Sequence, residues 1–297
     1  MLQPLVSIQI PTYNQKQFIK QALDSALAQT YDNLQIIVSD DCSTDYDIFE
    51  YLKEYVNHPR VQIYRHTKNI GRVANYRYCL YHLVKGQWFI NLDGDDYFIN
   101  TNFIQKAVDI IILVENVAVF QANSLIDKIS KNKMPAKMID DETYFMEGFH
   151  YLNYPNDGLG FSHASMVFNV SLAKEFDFYN HDMLDIDYLS FLKILNRGNI
   201  VFWKPKVYTR RKHKNQASDT IDFKKVQIKY AGYNEVFKIY EGRSVYSSLT
   251  KITLYNLFLQ LCQTFQKGNI GVKEILFLLF KLKFQKRYLL TGNYLYN

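Results

Sequence analysis

Along the first part of the chain, apolar positions switch repeatedly between a period of two and a period near 3.6. Val6, Ile8 and Ile10 alternate with Ser7 and Gln9, which predicts a strand, and Phe18, Ile19, Ala22, Leu23, Ala26 and Leu27 then recur at helical spacing. Asn14, between the two, reads as the helix N-cap. A second apolar run, residues 34–38, leads through Ser39-Asp40-Asp41-Cys42-Ser43-Thr44-Asp45 into a helix with Ile48, Phe49, Leu52 and Val56 on one side. Val61, Ile63 and Tyr64 form a third strand, Asn69-Ile70-Gly71-Arg72 a turn, and residues 73–83 a helix before a buried strand opening at Trp88. Strand and helix in alternation predict an α/β fold, a mostly parallel sheet flanked by helices with right-handed crossovers.

In such sheets ligands sit beyond the carboxyl ends of the strands. There the chain carries Pro11-Thr12-Tyr13-Asn14, the pair Asp40-Asp41, and Asp93-Gly94-Asp95-Asp96. Three carboxylates within four positions repel one another, and a divalent cation with oxygen ligands, Mg²⁺ or Mn²⁺, relieves that repulsion. Magnesium takes one or two protein carboxylates and fills its shell with phosphate oxygens and water, which points to a diphosphate. The competing reading is an acidic turn ahead of a helix at residues 102–113. Neither a Gly-x-Gly-x-x-Gly fingerprint nor a P-loop is present, so a nucleotide must be held otherwise. Tyr13 can lie against a base and Asp40 or Asp41 can accept from a base N–H; simple packing and helix capping are the alternatives.

Further along, a helix and the strand 117–120 precede a polar, weakly periodic segment, 128–146, expected as a loop or exposed hairpin. Residues 158–168 bring glycines and small side chains into a strand-like run that allows close approach of a ligand; there His163 is a candidate for ligand contact, against a structural histidine. Asp182, Asp185 and Asp187 open a helix with Leu189, Leu192 and Leu195 on its apolar face, and attraction to the helix N-terminus alone would account for the acids. Strands at 200–203 and 206–209 lead to the basic run Arg210-Arg211-Lys212-His213-Lys214, and helices are expected at 223–240, 245–266 and 272–284.

Composition narrows the setting. With 48% apolar and 22% charged residues, the chain can build a core. Three cysteines, far apart, form no disulfide framework or zinc spacing and fit a reducing cytoplasm. No secretion signal is read at the start, and the longest apolar run, 275–280, is too short to span a bilayer. The net charge of +6 gathers beyond Lys204 among Tyr, Phe and Leu. Nucleic acid, an anionic membrane surface and a solvated basic face are each compatible with that tail, and oligomerisation is a further use of its last helices.

Taken together, residues 6–14, the Asp-Asp-x-Ser-x-Asp order of Asp40 to Asp45, Asn69-x-Gly71 with Asn75, Gly86, and Leu92-Asp93-Gly94-Asp95-Asp96 resemble the family 2 glycosyltransferases of GT-A fold. The resemblance covers residues 5–218 and implies a catalytic domain over 1–218 with a C-terminal helical region over 219–297. It implies that Pro11, Thr12, Tyr13, Asn14, Asp40, Asp41, Asn69, Arg72 and Asn75 hold the nucleoside, and that Asp93 and Asp95 bind Mn²⁺ or Mg²⁺ with His213 completing the shell. Asp96 supports the others, Arg210 and Arg211 meet the diphosphate, His163 touches the sugar or acceptor, and the segment 128–146 shapes acceptor binding. Asp187 is implied as base toward the acceptor hydroxyl, with Asp185 the runner-up because Ile186 stands where the family usually has an acid. Cys42 stands where the family usually has glycine or asparagine.

The implied activity is inverting transfer from a nucleotide sugar, UDP by default, to a glycan or lipid-linked acceptor in bacterial surface-polysaccharide assembly. Its setting would be the cytoplasm, at the inner face of the membrane, with peripheral contact through the basic C-terminal helices and no nucleic-acid partner. Rival readings are a sugar nucleotidyltransferase, an aspartyl phosphatase, and a non-catalytic nucleotide-sugar or polyanion binder.

Overall fold

The computed structural model describes residues 3–124, 129, 134–153, 161–183, 185–213 and 223–244. Its strands are β1 (Val6–Thr12), β2 (Leu34–Asp40), β3 (Val61–Arg65), β4 (Trp88–Asn91), β5 (Tyr97–Phe98), β6 (Val117–Gln121), β7 (Ala136–Asp140), β8 (Thr143–Met146), β9 (Met166–Asn169), β10 (Asn199–Trp203) and β11 (Tyr208–Thr209). Helices are α1 (Lys16–Leu27), α2 (Ile48–Tyr51), α3 (Arg72–Tyr78), α4 (Phe103–Ile111), α5 (Gly148–Tyr151), α6 (Val170–Glu175), α7 (Ile186–Ile194) and α8 (Phe223–Tyr240). Nine strands form one sheet in the order β3-β2-β1-β4-β9-β6-β10-β8-β7, while β5 and β11 pair separately. Only β9 and β8 run against the other strands of the large sheet, which makes it mixed and mostly parallel.

Helices cover both faces. Ile8, Ile10, Ile36, Val38 and Ile90 pack with Ile19, Leu23 and Ala26 of α1 and Phe103, Ile104 and Val108 of α4. On the other face Ile37, Phe89, Met166 and Phe168 meet Val73 and Tyr76 of α3, Ala173 of α6, Leu189 and Leu192 of α7, and Val236, Phe237 and Tyr240 of α8. Each large apolar side chain removed from water this way contributes roughly 1.5–3 kcal/mol. Because both faces are covered, the polar alternates of β1 are buried too and must find partners inside. Gln9 Nε2 donates to Asn91 Oδ1 (2.6 Å) and Ser7 Oγ to Gln35 Oε1 (2.6 Å), which ties β1 to its two neighbours.

Several elements differ from the sequence reading. Asn14 is not the cap of α1: Gln15 holds that position without a side-chain bond, and Asn14 adopts φ 53°, its Oδ1 accepting from Thr44 N at 2.8 Å. The helix expected over 73–83 is α3 followed by one wider π turn, Cys79–Leu83. The polar segment near 128–146 does contribute the exposed hairpin expected there, and that hairpin also extends the sheet: β8 buries Thr143 and Met146, while the edge strand β7 is largely exposed, which is why its apolar signal is weak. The α8 helix spans the residues expected of it; the helices expected at 245–266 and 272–284 lie outside the described residues.

Candidate active site

The loops after β1, β2 and β4 meet at a cleft of about 430 Å³, on whose wall stand Thr12, Asp41, Arg72, Tyr76, Asp93 and Asp95, among others. Backbone geometry decides which residues fit there. A Cβ on Gly94 would lie 2.5 Å from Gln15 Oε1 and 3.0 Å from Thr12 Cβ, so the Asp-Gly-Asp turn needs glycine to pass the end of β1. Cys42 has φ 64°, the left-handed region that glycine and asparagine tolerate best, which accounts for the residue types expected at that position.

Of the residues expected to hold a nucleoside, Pro11, Thr12, exposed Tyr13, Asp41, Asn69, Arg72 and Asn75 line the cleft. Asp41 is fixed by the N–H groups of Ile70 (2.7 Å) and Gly71 (2.9 Å), the latter at φ 93°. Asp40 is buried behind the cleft rather than on its wall. It accepts from Ser43 N (3.1 Å) and lies 3.4 Å from Arg65 Nε; burial raises its pKa, with the Ser43 bonds and Arg65 opposing. Asn14 ties the first loop to the second through Ser43 and Thr44 and is not on the wall. Asn75 spends its amide internally, donating to Ser39 O (2.9 Å) and accepting from Ser39 Oγ (2.6 Å).

The carboxylates after β4 have separate partners. Asp93 Oδ1 accepts from Tyr76 OH (2.6 Å) and Asn91 Nδ2 (3.2 Å), and its Oδ2 lies 3.1 Å from His163 Nε2. Burial alone would raise the Asp93 pKa, but His163, Tyr76 and Arg72 hold it well below the usual carboxylate range. Asp95 Oδ2 pairs with His213 Nε2 at 2.8 Å. Asp96 accepts from the backbone N–H of Arg211 (3.0 Å); burial pushes it up to about 7, an effect that this bond offsets and the neighbouring Asp93 and Asp95 reinforce. Arg210 lines the cleft, whereas the Arg211 guanidinium stands over the rings of Phe18 (5.0 Å) and Tyr97 (4.7 Å) and bonds Gln21.

Asp93, Asp95 and His213 do not converge on one point, and among the described residues no group of three or more His, Cys, Asp or Glu does. The donors nonetheless suit a divalent ion. Asp95 and His213 offer the carboxylate oxygen and imidazole nitrogen that Mn²⁺ accepts, and their 2.8 Å contact keeps the two donors adjacent. Gln15, whose buried side-chain oxygen has no hydrogen-bond partner among the described residues, adds a further oxygen on the cleft wall.

His163 is buried, not open to the cleft. Its Nδ1 lies 3.0 Å from Asp187 Oδ2, off the hydrogen-bond direction, so one imidazole stands between Asp187 and Asp93. Burial disfavours the imidazolium, but Asp93 and Asp187 outweigh it and raise the pKa to about 10. Asp185 faces elsewhere: its Oδ2 lies 2.6 Å from Lys229 Nζ and accepts from Tyr233 OH (3.2 Å). Sequence reasoning missed Tyr76, Lys229 and Tyr233. Tyr76 had one local signal, its place one turn after Arg72 on a helix beside the cleft.

Residues 7–176 match the family described as Glycosyl transferase family 2. An uncharacterized glycosyltransferase of Rickettsia typhi is 30% identical over 223 residues, 73% of this chain and 67% of that protein. Chondroitin synthase of Escherichia coli is 40% identical over 108 residues, 36% of this chain and only 15% of that protein. The UDP-Glc:alpha-D-GlcNAc-diphosphoundecaprenol beta-1,3-glucosyltransferase WfaP of E. coli is 39% identical over 99 residues, 33% of this chain and 38% of that protein. Among solved structures, S. aureus TarS 1-349 in complex with UDP-GlcNAc superposes with a TM-score of 0.66 at 17% identity, covering 91% of this chain and 77% of that one. The mannosyltransferase PcManGT from Pyrobaculum calidifontis, in complex with GDP-Man and Mn2+, gives a TM-score of 0.53 at 14% identity, covering 96% and 81%.

Proposed function

The chain belongs to glycosyl transferase family 2 and is a glycosyltransferase, and on that premise we propose that it moves a sugar from a UDP-linked donor to a hydroxyl of a glycan or lipid-linked acceptor, with inversion at the anomeric carbon, in bacterial surface-polysaccharide synthesis. TarS is bound to UDP-GlcNAc, WfaP is named for UDP-Glc and alpha-D-GlcNAc-diphosphoundecaprenol, and chondroitin synthase for chondroitin; these motivate the substrate classes. The reading rests most on one observation: His163 lies 3.0 Å from Asp187 and 3.1 Å from Asp93, so the proposed base stands one ring away from the carboxylates of the donor cleft.

In this mechanism Asp41, with Asn69 and Tyr13, receives the nucleoside, and Arg210 meets the diphosphate at the cleft wall. Asp187 takes the proton of the acceptor hydroxyl as its oxygen bonds to the anomeric carbon. The bond from that carbon to the diphosphate oxygen breaks, and the nucleoside diphosphate departs. Asp187 is preferred to Asp185 because Lys229 and Tyr233 already occupy Asp185. A Mn²⁺ or Mg²⁺ ion held by Asp95 and His213 would neutralise charge on the departing diphosphate.

Incubation with a UDP-sugar, an acceptor and Mn²⁺ tests the reading through its product. Free UDP is expected; pyrophosphate would mark nucleotidyl transfer, orthophosphate a phosphatase, and no product a binder. Asp95→Ala is expected to remove metal-dependent turnover while circular dichroism stays unchanged, and full activity of that variant rejects the metal assignment.

A further inference from the structure

Outside the cleft, a set of charged and polar side chains joins α8 to α7 and to the segment before it. Glu235 of α8 accepts from Lys193 Nζ (2.7 Å) and Asn180 Nδ2 (2.9 Å) and pairs with His181 Nε2 (2.8 Å); Tyr240 OH donates to Leu192 O (2.7 Å). These contacts dock the helix. Gly232 permits the close approach, since a Cβ there would lie 3.0 Å from Leu189 Cδ1 and 3.3 Å from Met183 Sδ.

One turn and a half toward the start of α8 the contacts change character. Lys229 and Tyr233, one helical turn apart, both reach Asp185, at 2.6 and 3.2 Å. Asp185 is the N-cap position of α7 but caps nothing: its side chain makes no bond to the helix N–H groups and turns outward to α8. Asp187 follows two positions later in the first turn of the same helix. Two carboxylates of one short segment are thus pulled by different partners, Asp185 by α8 and Asp187 toward His163. The Lys229 and Asp185 side chains are only 14% and 28% exposed, so solvent does little to loosen their pair.

We propose that Lys229, with Tyr233, is a positioning residue: by holding Asp185 it fixes the first turn of α7 and aims Asp187 at the acceptor hydroxyl, so that the C-terminal helix is part of the catalytic device. This rests on Asp187 being the base. Misplacement of a reacting group by about 1 Å costs up to about 100-fold in rate, so loss of the clamp acts on kcat and leaves the donor cleft, on the other side of His163, untouched.

The experiment measures kcat and donor KM in the full chain for Lys229→Met, Lys229→Arg, Asp187→Asn and the Lys229→Met/Asp187→Asn pair. The expected result is a fall in kcat of about 10- to 100-fold for Lys229→Met, with donor KM within about twofold, recovery in Lys229→Arg, and no further fall when Lys229→Met is added to Asp187→Asn. Wild-type kcat in Lys229→Met, with only a lower melting temperature, overturns the proposal. So does an undiminished Lys229 effect in the Asp187→Asn background. Full activity of Asp187→Asn itself is a different failure: it removes the base reading on which the clamp depends. Glu235→Gln separates docking from aiming, because it is expected to lower thermal stability without changing kcat at temperatures where the variant is folded.

Discussion

The two sides of the site differ in how much main chain holds their carboxylates. On the proposed donor side, Asp41 is gripped by the N–H groups of Ile70 and Gly71, Asp40 by that of Ser43, and Asp96 by that of Arg211, while Asp93 and Asp95 face the side chains of Tyr76, Asn91, His163 and His213. On the proposed base side, Asp187 keeps one main-chain donor, the N–H of Tyr188 (2.9 Å), and Asp185 and Asp187 otherwise face side chains brought from elsewhere in the chain: Lys229, Tyr233 and His163. Main-chain donors stay in place when a neighbour is substituted, whereas a side-chain partner is lost with one codon. The Asp41 loop is therefore built to tolerate change around it, and Asp185 to be adjustable through residues outside the cleft.

Substitutions test that contrast. The largest effect is expected from Asp187→Asn, which keeps the shape of the side chain but removes the proton acceptor: transfer should fall by about 10²- to 10⁴-fold while UDP binding, measured by calorimetry, is unchanged. Equal loss of UDP affinity would erase the distinction between the sides. His163→Gln comes next because His163 touches both; a fall in kcat of up to about 100-fold is expected, accompanied, unlike in Asp187→Asn, by weaker donor binding through Asp93. Asp41→Asn should spare kcat and weaken UDP binding by about tenfold or more, since one amide oxygen can keep only one of the two backbone N–H bonds, each charged bond being worth roughly 1.5–3 kcal/mol; a kcat effect without a binding effect would reverse the assignment.

The smallest effect is on stability and belongs to the docking of α8. Burial alone would raise the Glu235 pKa, but bonds from Lys193, Asn180 and His181 lower it to about 2, below its ordinary value of 4.5. A group with a depressed pKa in the folded state stabilises fully above its unfolded pKa and loses that contribution as pH falls toward the folded one. Urea unfolding of the wild type should accordingly weaken from about pH 4.5 down to about 2, and Glu235→Gln should flatten that leg of the curve.

The same contrast explains what could be read from the chain. The strands β1, β2 and β4 and the acidic turns at their ends are legible because each is a contiguous run whose period and polarity declare it. The first helix boundary was misread because Asn14, a good cap by type, bonds the second loop instead. The hairpin β7–β8 has few buried positions and so little pattern. Lys229 and Tyr233 leave no local trace for a plainer reason: their partner lies 44 and 48 positions away, and no local pattern encodes an encounter that only folding creates.

The amide ladder inside the sheet has a further consequence. Gln9 donates to Asn91, and Asn91 in turn donates to Asp93, so a continuous polar thread runs from the middle of β1 to the rim where chemistry is proposed to occur. Slipping β1 by a single position would turn Gln9 into the oily layer beneath α1 and leave Asn91 without its mate. Misthreaded chains are thereby penalised where the error would cost the most, and a correctly paired sheet arrives with its acidic turn already oriented.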